Sequence, residues 1–261
     1  MDRARVDYDR LAAAYDARYL VDPLQGIADA LLNLVGRTQA KRILEVGCGT
    51  GYWIGQLASR AVQAYAADGS QGMLARAASK AGGLLVAARA NALPFPNQVF
   101  DLVYVVNAIH HFDDPRGFVA SAAELLAPIG ALSIIGIDPR LIRRWYLYDY
   151  FETARENDLR WYPAVGEIVD WMAAAGFTPV EYSIVQTRDS SWTGRAVLLD
   201  PFLKKDSNSM LALLTDDQYE AGLQRIKAAL GQAENAGREI TFRAGLPFLM
   251  VTGFRTAAHA C

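Results

Sequence analysis

The sequence predicts an α/β fold built on a mostly parallel sheet flanked by helices, and three observations carry that prediction. Apolar strand-like runs alternate with helical patterns along most of the chain. The run Lys41 to Val46 enters the turn Gly47-Cys48-Gly49-Thr50-Gly51, and a helical pattern starts at Tyr52. A second apolar run ends in Asp68-Gly69. Glycines at a strand-to-helix turn let backbone pass close to a ligand, because positive φ costs little and no Cβ intervenes. The helix start behind them offers unpaired N–H groups.

In chain order, Asp7 to Tyr19 reads as one helix. Asp22-Pro23-Leu24-Gln25 reads as the start of a second, with Asp as cap and Pro in the first turn. That helix is expected to run to about Val35, with Gly36 stopping it. Strands are expected over 42–47, 61–67, 83–88, 100–106 and 131–137, with helices over 52–60, 70–81 and 115–126 between them. Phe177 to Gln186 and Pro247 to Arg255 are the remaining strand candidates. Two regions stand outside this pattern. Arg140 to Trp161 is loaded with aromatics, namely Trp145, Tyr146, Tyr148, Tyr150, Phe151 and Trp161, with Tyr162 next. Between the last two strands, over 188–238, Thr215-Asp216-Asp217 reads as the cap of a helix carrying Tyr219, Leu223, Ile226 and Leu230 on one face.

Composition bounds the function. With 261 residues and 52% hydrophobic content, the chain suits one large domain with cap segments. A net charge of −2 argues against an electrostatic nucleic-acid footprint. The two cysteines, Cys48 and Cys261, make no disulfide framework. No run reaches the ~18 apolar residues that span a bilayer. The start, Met1-Asp2-Arg3-Ala4-Arg5, lacks the apolar stretch of a signal peptide. A cytoplasmic protein with a small-molecule partner, no nucleic acid and no membrane is expected, as a monomer or homodimer.

The ligand class follows from spacing. Dinucleotide folds carry G-x-G-x-x-G, whereas here the order is G-x-G-x-G, with Glu45 two residues before the first glycine. A carboxylate at Asp68 can accept both hydroxyls of a ribose, so an adenosyl ligand fits the unit. Ile43 to Gly51, Asp68-Gly69-Ser70-Gln71-Gly72-Met73-Leu74, Asn91-Ala92-Leu93-Pro94-Phe95 and Phe100 to Phe112 occur in one order. Together with Tyr8-Asp9, Ala12 and Tyr15-Asp16, they resemble the class I S-adenosylmethionine-dependent methyltransferases of the type 11 group. The group includes enzymes of ubiquinone and menaquinone biosynthesis and of natural-product methylation. The resemblance implies a Rossmann-like, seven-stranded sheet with an antiparallel last strand. It also implies S-adenosylmethionine as cofactor and a cap, formed by the N-terminal helices (1–36) and the segments 140–165 and 188–238, over the cofactor-binding core (41–137). Two positions depart from the family pattern: Asn91 stands where an Asp is usual, and Pro128-Ile129-Gly130 replaces a Gly-Gly turn.

On that resemblance, Asp68 and Gly69 hold the ribose, and Gly47, Cys48, Gly49 and Gly51 form the turn around the amino-acid part. Glu45 orients the ammonium, directly or through the loop. Met73, Asn91, Ala92 and Leu93 surround the adenine, Tyr15 closes the methionine end, and Asn107 follows the fourth strand. Each residue has a plainer reading as well: Met73 as helix-to-sheet core, Cys48 as a small filler, Tyr15 as helix packing and the aromatic segment as core. His110 and His111 are the catalytic candidates, since imidazole has the basicity to take an acceptor's proton near neutral pH. No metal is expected: the sequence holds three histidines and no ligand cluster beside them. Methyl transfer to O, N or C of a small molecule is the leading function. A cofactor-binding protein of the same fold that does not methylate is its alternative, and a nicotinamide-dependent oxidoreductase is a third reading.

Overall fold

The computed structural model describes residues 8–12, 15, 16, 19, 22–58, 63–205 and 208–256. Cys261 and parts of the expected segments 7–19, 52–60 and 61–67 lie outside them. Five parallel strands form the centre: β1 (Arg42–Val46), β2 (Gln63–Asp68), β3 (Leu84–Ala87), β4 (Phe100–Val106) and β5 (Leu126–Gly136). Two long strands, β7 (Val180–Thr193) and β8 (Thr241–Phe254), complete the order β3-β2-β1-β4-β5-β8-β7, with β8 antiparallel to both neighbours. An eighth, two-residue strand, β6 (Arg144–Trp145), pairs β8 at Gly245 and Ala244, beyond the point where β5 leaves it.

The central strands are apolar throughout because both faces are covered. Along β4, Leu102, Tyr104 and Val106 join the core under α2 (Gln25–Thr38) and α3 (Tyr52–Ala58). Val103 and Val105 face the opposite core with Phe118 of α5 (Pro115–Leu125) and Met172 of α8 (Val165–Ala174). Helix α4 (Gln71–Ala77) is capped by Ser70, whose hydroxyl accepts the Met73 N–H.

Several boundaries moved, each for a local reason. Of the expected helix over 7–19, a short α1 (Tyr8–Leu11) forms, and Tyr15 and Asp16 lie in turns. Asp16 instead bonds the Thr50 hydroxyl and the Lys80 ammonium, so tertiary contacts override the helical pattern. Helix α2 starts at Gln25 rather than at Asp22, because the Asp22 carboxylate accepts the Leu24 N–H one turn earlier. It also runs past Gly36 to Thr38, where Gln39 adopts the left-handed conformation and its N–H reaches the Gly36 carbonyl. Strands β7 and β8 overrun their expected limits by several residues.

The overrun carries the hairpin out of the sheet and into a cap with a core of its own. Helices α6 (Tyr146–Tyr150), α7 (Glu152–Trp161), α9 (Ser209–Ala212) and α10 (Asp216–Asn235) belong to this region. Tyr146, Tyr148, Phe151, Leu211, Ile226, Leu230 and Phe242 are packed together within it. Thr215 caps α10 as its sequence implies: its hydroxyl accepts the Gln218 N–H at 3.2 Å, and the Gln218 side chain returns to the Thr215 N–H at 3.0 Å. Thr215→Ala is therefore expected to destabilise the fold by about 1 kcal/mol, read as a lowered midpoint in urea unfolding.

Candidate active site

A cavity of about 400 Å³ opens between the carboxyl ends of β1, β2 and β4 and the cap, within the size range of small-ligand sites. β1 delivers the glycine turn, in which Gly47, Gly49 and Gly51 have φ of 73°, 53° and 76°. A Cβ on Gly47 would stand 2.5 Å from the Ala108 Cβ, whereas on Gly49 it would project toward the Tyr15 ring, 3.8 Å from Cε1. β2 delivers Asp68, whose Oδ2 accepts the Gly49 N–H and whose Oδ1 accepts the Ser70 N–H, both at 2.8 Å. Burial pushes this carboxyl above its ordinary pKa against the pull of those donors. β4 ends at Val106, Asn107 follows at φ 52°, and a single 3-10 turn then presents His110 and His111.

The N-terminal residues and the cap close the remaining sides. The Tyr8 hydroxyl and His111 Nε2 share a hydrogen bond of 2.5 Å. Asp9 accepts from the Ser70 hydroxyl at 2.6 Å and the Gly72 N–H at 2.8 Å, which seats α1 on the start of α4. His110 stacks on Tyr162, centroids 3.7 Å apart at 14°. From the cap come Asp158, Trp161, Tyr162, Ser209 and Leu213.

Residues 44–134 match the family model described as a methyltransferase domain. The chain is 28% identical over 205 residues to the demethylmenaquinone methyltransferase of Clavibacter sepedonicus, covering 67% of this chain and 82% of that enzyme. It is 30% identical over 142 residues to the malonyl-[acyl-carrier protein] O-methyltransferase of Hahella chejuensis, which is 51% of each. This chain carries a class I methyltransferase domain of the type 11 group. Solved structures agree on the fold of the methyltransferase. A candidate methyltransferase from an antibiotic biosynthesis pathway of Anabaena variabilis superposes with TM-score 0.65 at 23% identity, over 86% of this chain and 95% of that one. Phosphoethanolamine N-methyltransferase 2 of Haemonchus contortus, in complex with S-adenosyl-L-methionine, gives 0.58 at 16%, over 98% and 61%. Structures of that Haemonchus enzyme hold S-adenosyl-L-methionine or S-adenosylhomocysteine.

The methyltransferase's cavity gathers Tyr15, Gly47, Gly49, Asp68, Gly69, Met73, Asn91, Asn107, His110 and His111, all anticipated from sequence. Met73 is both core and cavity wall, being 1% exposed. Five anticipated residues do not line it. Glu45 is fully buried below the turn, where it sits beside Tyr104 in register and accepts its hydroxyl at 3.1 Å, a position that suits the second of its two expected arrangements, through the loop. Cys48 is buried filler, its thiol pushed up by burial. Gly51 serves close packing, since a Cβ there would meet Ala77 at 2.9 Å. Ala92 is exposed and Leu93 packs into the core behind, so the wall is made one step earlier, by residues 88–91. The aromatic segment divides: Tyr146, Tyr148 and Phe151 fill the cap core, while Trp161 and Tyr162 face the cavity. Asp158, Ser209 and Arg89 were not anticipated. A signal for Asp158 existed, because it precedes Trp161 and Tyr162 by three and four positions and so shares their helix face.

Two buried carboxyls make stability depend on pH. Burial raises Glu45 from 4.5 to about 8, and Asp158 from 3.8 to about 7. In each case the folded protein holds a proton that the unfolded chain releases. Their contribution is therefore full below the unfolded pKa and is lost as pH rises through the folded one. The melting temperature is expected to fall between pH 5 and pH 8. Glu45→Gln, which keeps an acceptor for Tyr104, should flatten that fall; parallel melting curves for the two proteins would contradict it.

Proposed function

We propose that this methyltransferase transfers the methyl group to a small-molecule acceptor held between the glycine turn and the cap. The observation that carries the reading is the single cavity joining Asp68 and Gly49 on the sheet side to Trp161 and Tyr162 on the cap side. The residues present fit the cofactor: the Cβ-free face of Gly49 opens into the cavity, and Asp68 stands at its edge with lone pairs beyond those used by Gly49 and Ser70. When bound, the cofactor supplies a methyl on a positively charged sulfur, which needs no further activation.

The chain's part is placement. Asp68 accepts the ribose hydroxyls, and Ala88 to Asn91 with Met73 bound the adenine. Gly47 and Gly49 admit the amino-acid part, with Glu45 bracing the turn from below. Tyr15 covers the methionine end, while His111, tied to Tyr8, lies where an acceptor's proton leaves. Holding donor and acceptor aligned supplies most of the rate in such a displacement. The test is thermal: S-adenosylhomocysteine and S-adenosylmethionine should raise the melting temperature where nicotinamide dinucleotide does not. Release of S-adenosylhomocysteine in the presence of small acceptors then reports transfer. A shift by the dinucleotide alone would overturn the reading.

A further inference from the structure

Asp158 is a buried carboxylate in the wall of the acceptor end of the cavity, and nothing in the methyl-donor chemistry uses it. It is 3% exposed, and its Oδ2 accepts the Tyr148 hydroxyl at 2.8 Å. It lies near the C-terminal end of α7, which is fixed in place from outside: the Arg140 guanidinium donates to the carbonyls of Leu159 at 2.9 Å and Tyr162 at 3.1 Å. The carboxylate is therefore held by a rigid support on one side and open to the cavity on the other.

Its surroundings are aromatic and acidic. Tyr162, Trp161, Tyr8 and Tyr15 share the cavity with it, and burial, with Asp158 nearby, holds the Tyr162 hydroxyl well above its ordinary pKa. Among the described residues, the lining carries Asp9, Asp68, Asp113 and Asp158 against one arginine and no lysine. That arginine, Arg89, is paired with Asp113 at 3.8 Å. Such a lining repels carboxylates and phosphates, and a desolvated anion beside ring faces attracts an organic cation.

Resting on the reading above that the acceptor occupies this cavity, we infer that Asp158 is a specificity residue that pairs with a protonated amine on the acceptor, the rings of Trp161 and Tyr162 enclosing the same group. The acceptor class is then an amine-bearing molecule without an anionic group near the amine. The Asp158 carboxyl, raised by burial to about 7, ionises readily at neutral pH once a cation lies beside it, so the pair offsets the desolvation that an isolated carboxylate would bear.

The experiment uses the protein saturated with S-adenosylhomocysteine and titrated with three probes of similar shape: 2-phenylethylamine, 2-phenylethanol and 3-phenylpropionate. The amine should bind at least about tenfold tighter than the alcohol, and the carboxylate weakest of all. Asp158→Asn keeps the side-chain shape and an acceptor for Tyr148. It should lower amine affinity at least about tenfold, leaving the alcohol and S-adenosylhomocysteine unchanged. Tyr148→Phe controls for loosening of the cap, and should keep the preference for the amine. Equal binding of the three probes, no binding of the amine, preference for the carboxylate, or an unchanged amine affinity in Asp158→Asn would each overturn the inference. Failure of S-adenosylhomocysteine itself to bind is a separate result, and it would overturn the reading of the crevice along with what rests on it.

Discussion

Asp68→Ala is expected to weaken binding of S-adenosylhomocysteine by about 1–3 kcal/mol, roughly 5- to 150-fold, measured by titration calorimetry. The carboxylate stands at the end of β2 with its two oxygens already accepting the N–H groups of Gly49 and Ser70. Its substitution therefore removes an anionic acceptor from the ribose and releases the turn that shapes the neighbouring wall. These effects are separable. Asp68→Asn retains one carbonyl oxygen of the same reach and loses the charge, so its affinity should fall between those of the parent and the alanine variant. Melting temperatures recorded alongside distinguish the roles. A lowered melting temperature with unaltered affinity would leave Asp68 as a brace for the turn and remove it from the ribose.

His111→Ala is expected to lower turnover about 10²-fold with S-adenosylhomocysteine affinity preserved. The imidazole follows β4, lines the cavity and holds the Tyr8 hydroxyl at 2.5 Å. It could thus act on the acceptor's proton or fasten the N-terminal residues. Tyr8→Phe separates the two, because it removes the hydroxyl and keeps the ring and the imidazole. A loss of rate in Tyr8→Phe as large as that in His111→Ala would reduce His111 to a fastening. A small loss in Tyr8→Phe beside a large one in His111→Ala supports proton transfer.

How far the molecule could be read from its sequence depended on whether the signal was local. β4 was legible to the residue, because a strand buried on both faces reads as an apolar run, which only the half-buried Asp101 interrupts near its start. Helix α10 was legible from the cap Thr215-Asp216-Asp217 and the apolar face behind it, and the structure adds the Gln218 half of the cap. The turn at Gly47 to Gly51 was legible because positive φ selects glycine. Residues 187–193, Thr-Arg-Asp-Ser-Ser-Trp-Thr, were not, since a polar strand owes its pairing to β8 rather than to its own composition. For Glu45 two arrangements stood open, direct contact or contact through the loop, because a motif fixes its position along β1 and not its face. The register that sets it beside Tyr104 on β4 decides that. Asp158 carried a signal in its spacing from Trp161 and Tyr162, but nothing in its helix says that the cavity lies in front of it.

The β7–β8 ladder runs from Val180 paired with Gly253 to Thr193 paired with Thr241, from the edge of the sheet into the cap, with one register shift between Ile184 and Gln186. Backbone pairing on both sides of that shift ties the cap to the sheet. Elsewhere around the cavity, Tyr8, Asp9 and Asp16 are held by side-chain bonds to His111, Ser70 and Thr50. The cavity is thus bounded by paired backbone on one side and by side-chain contacts on another.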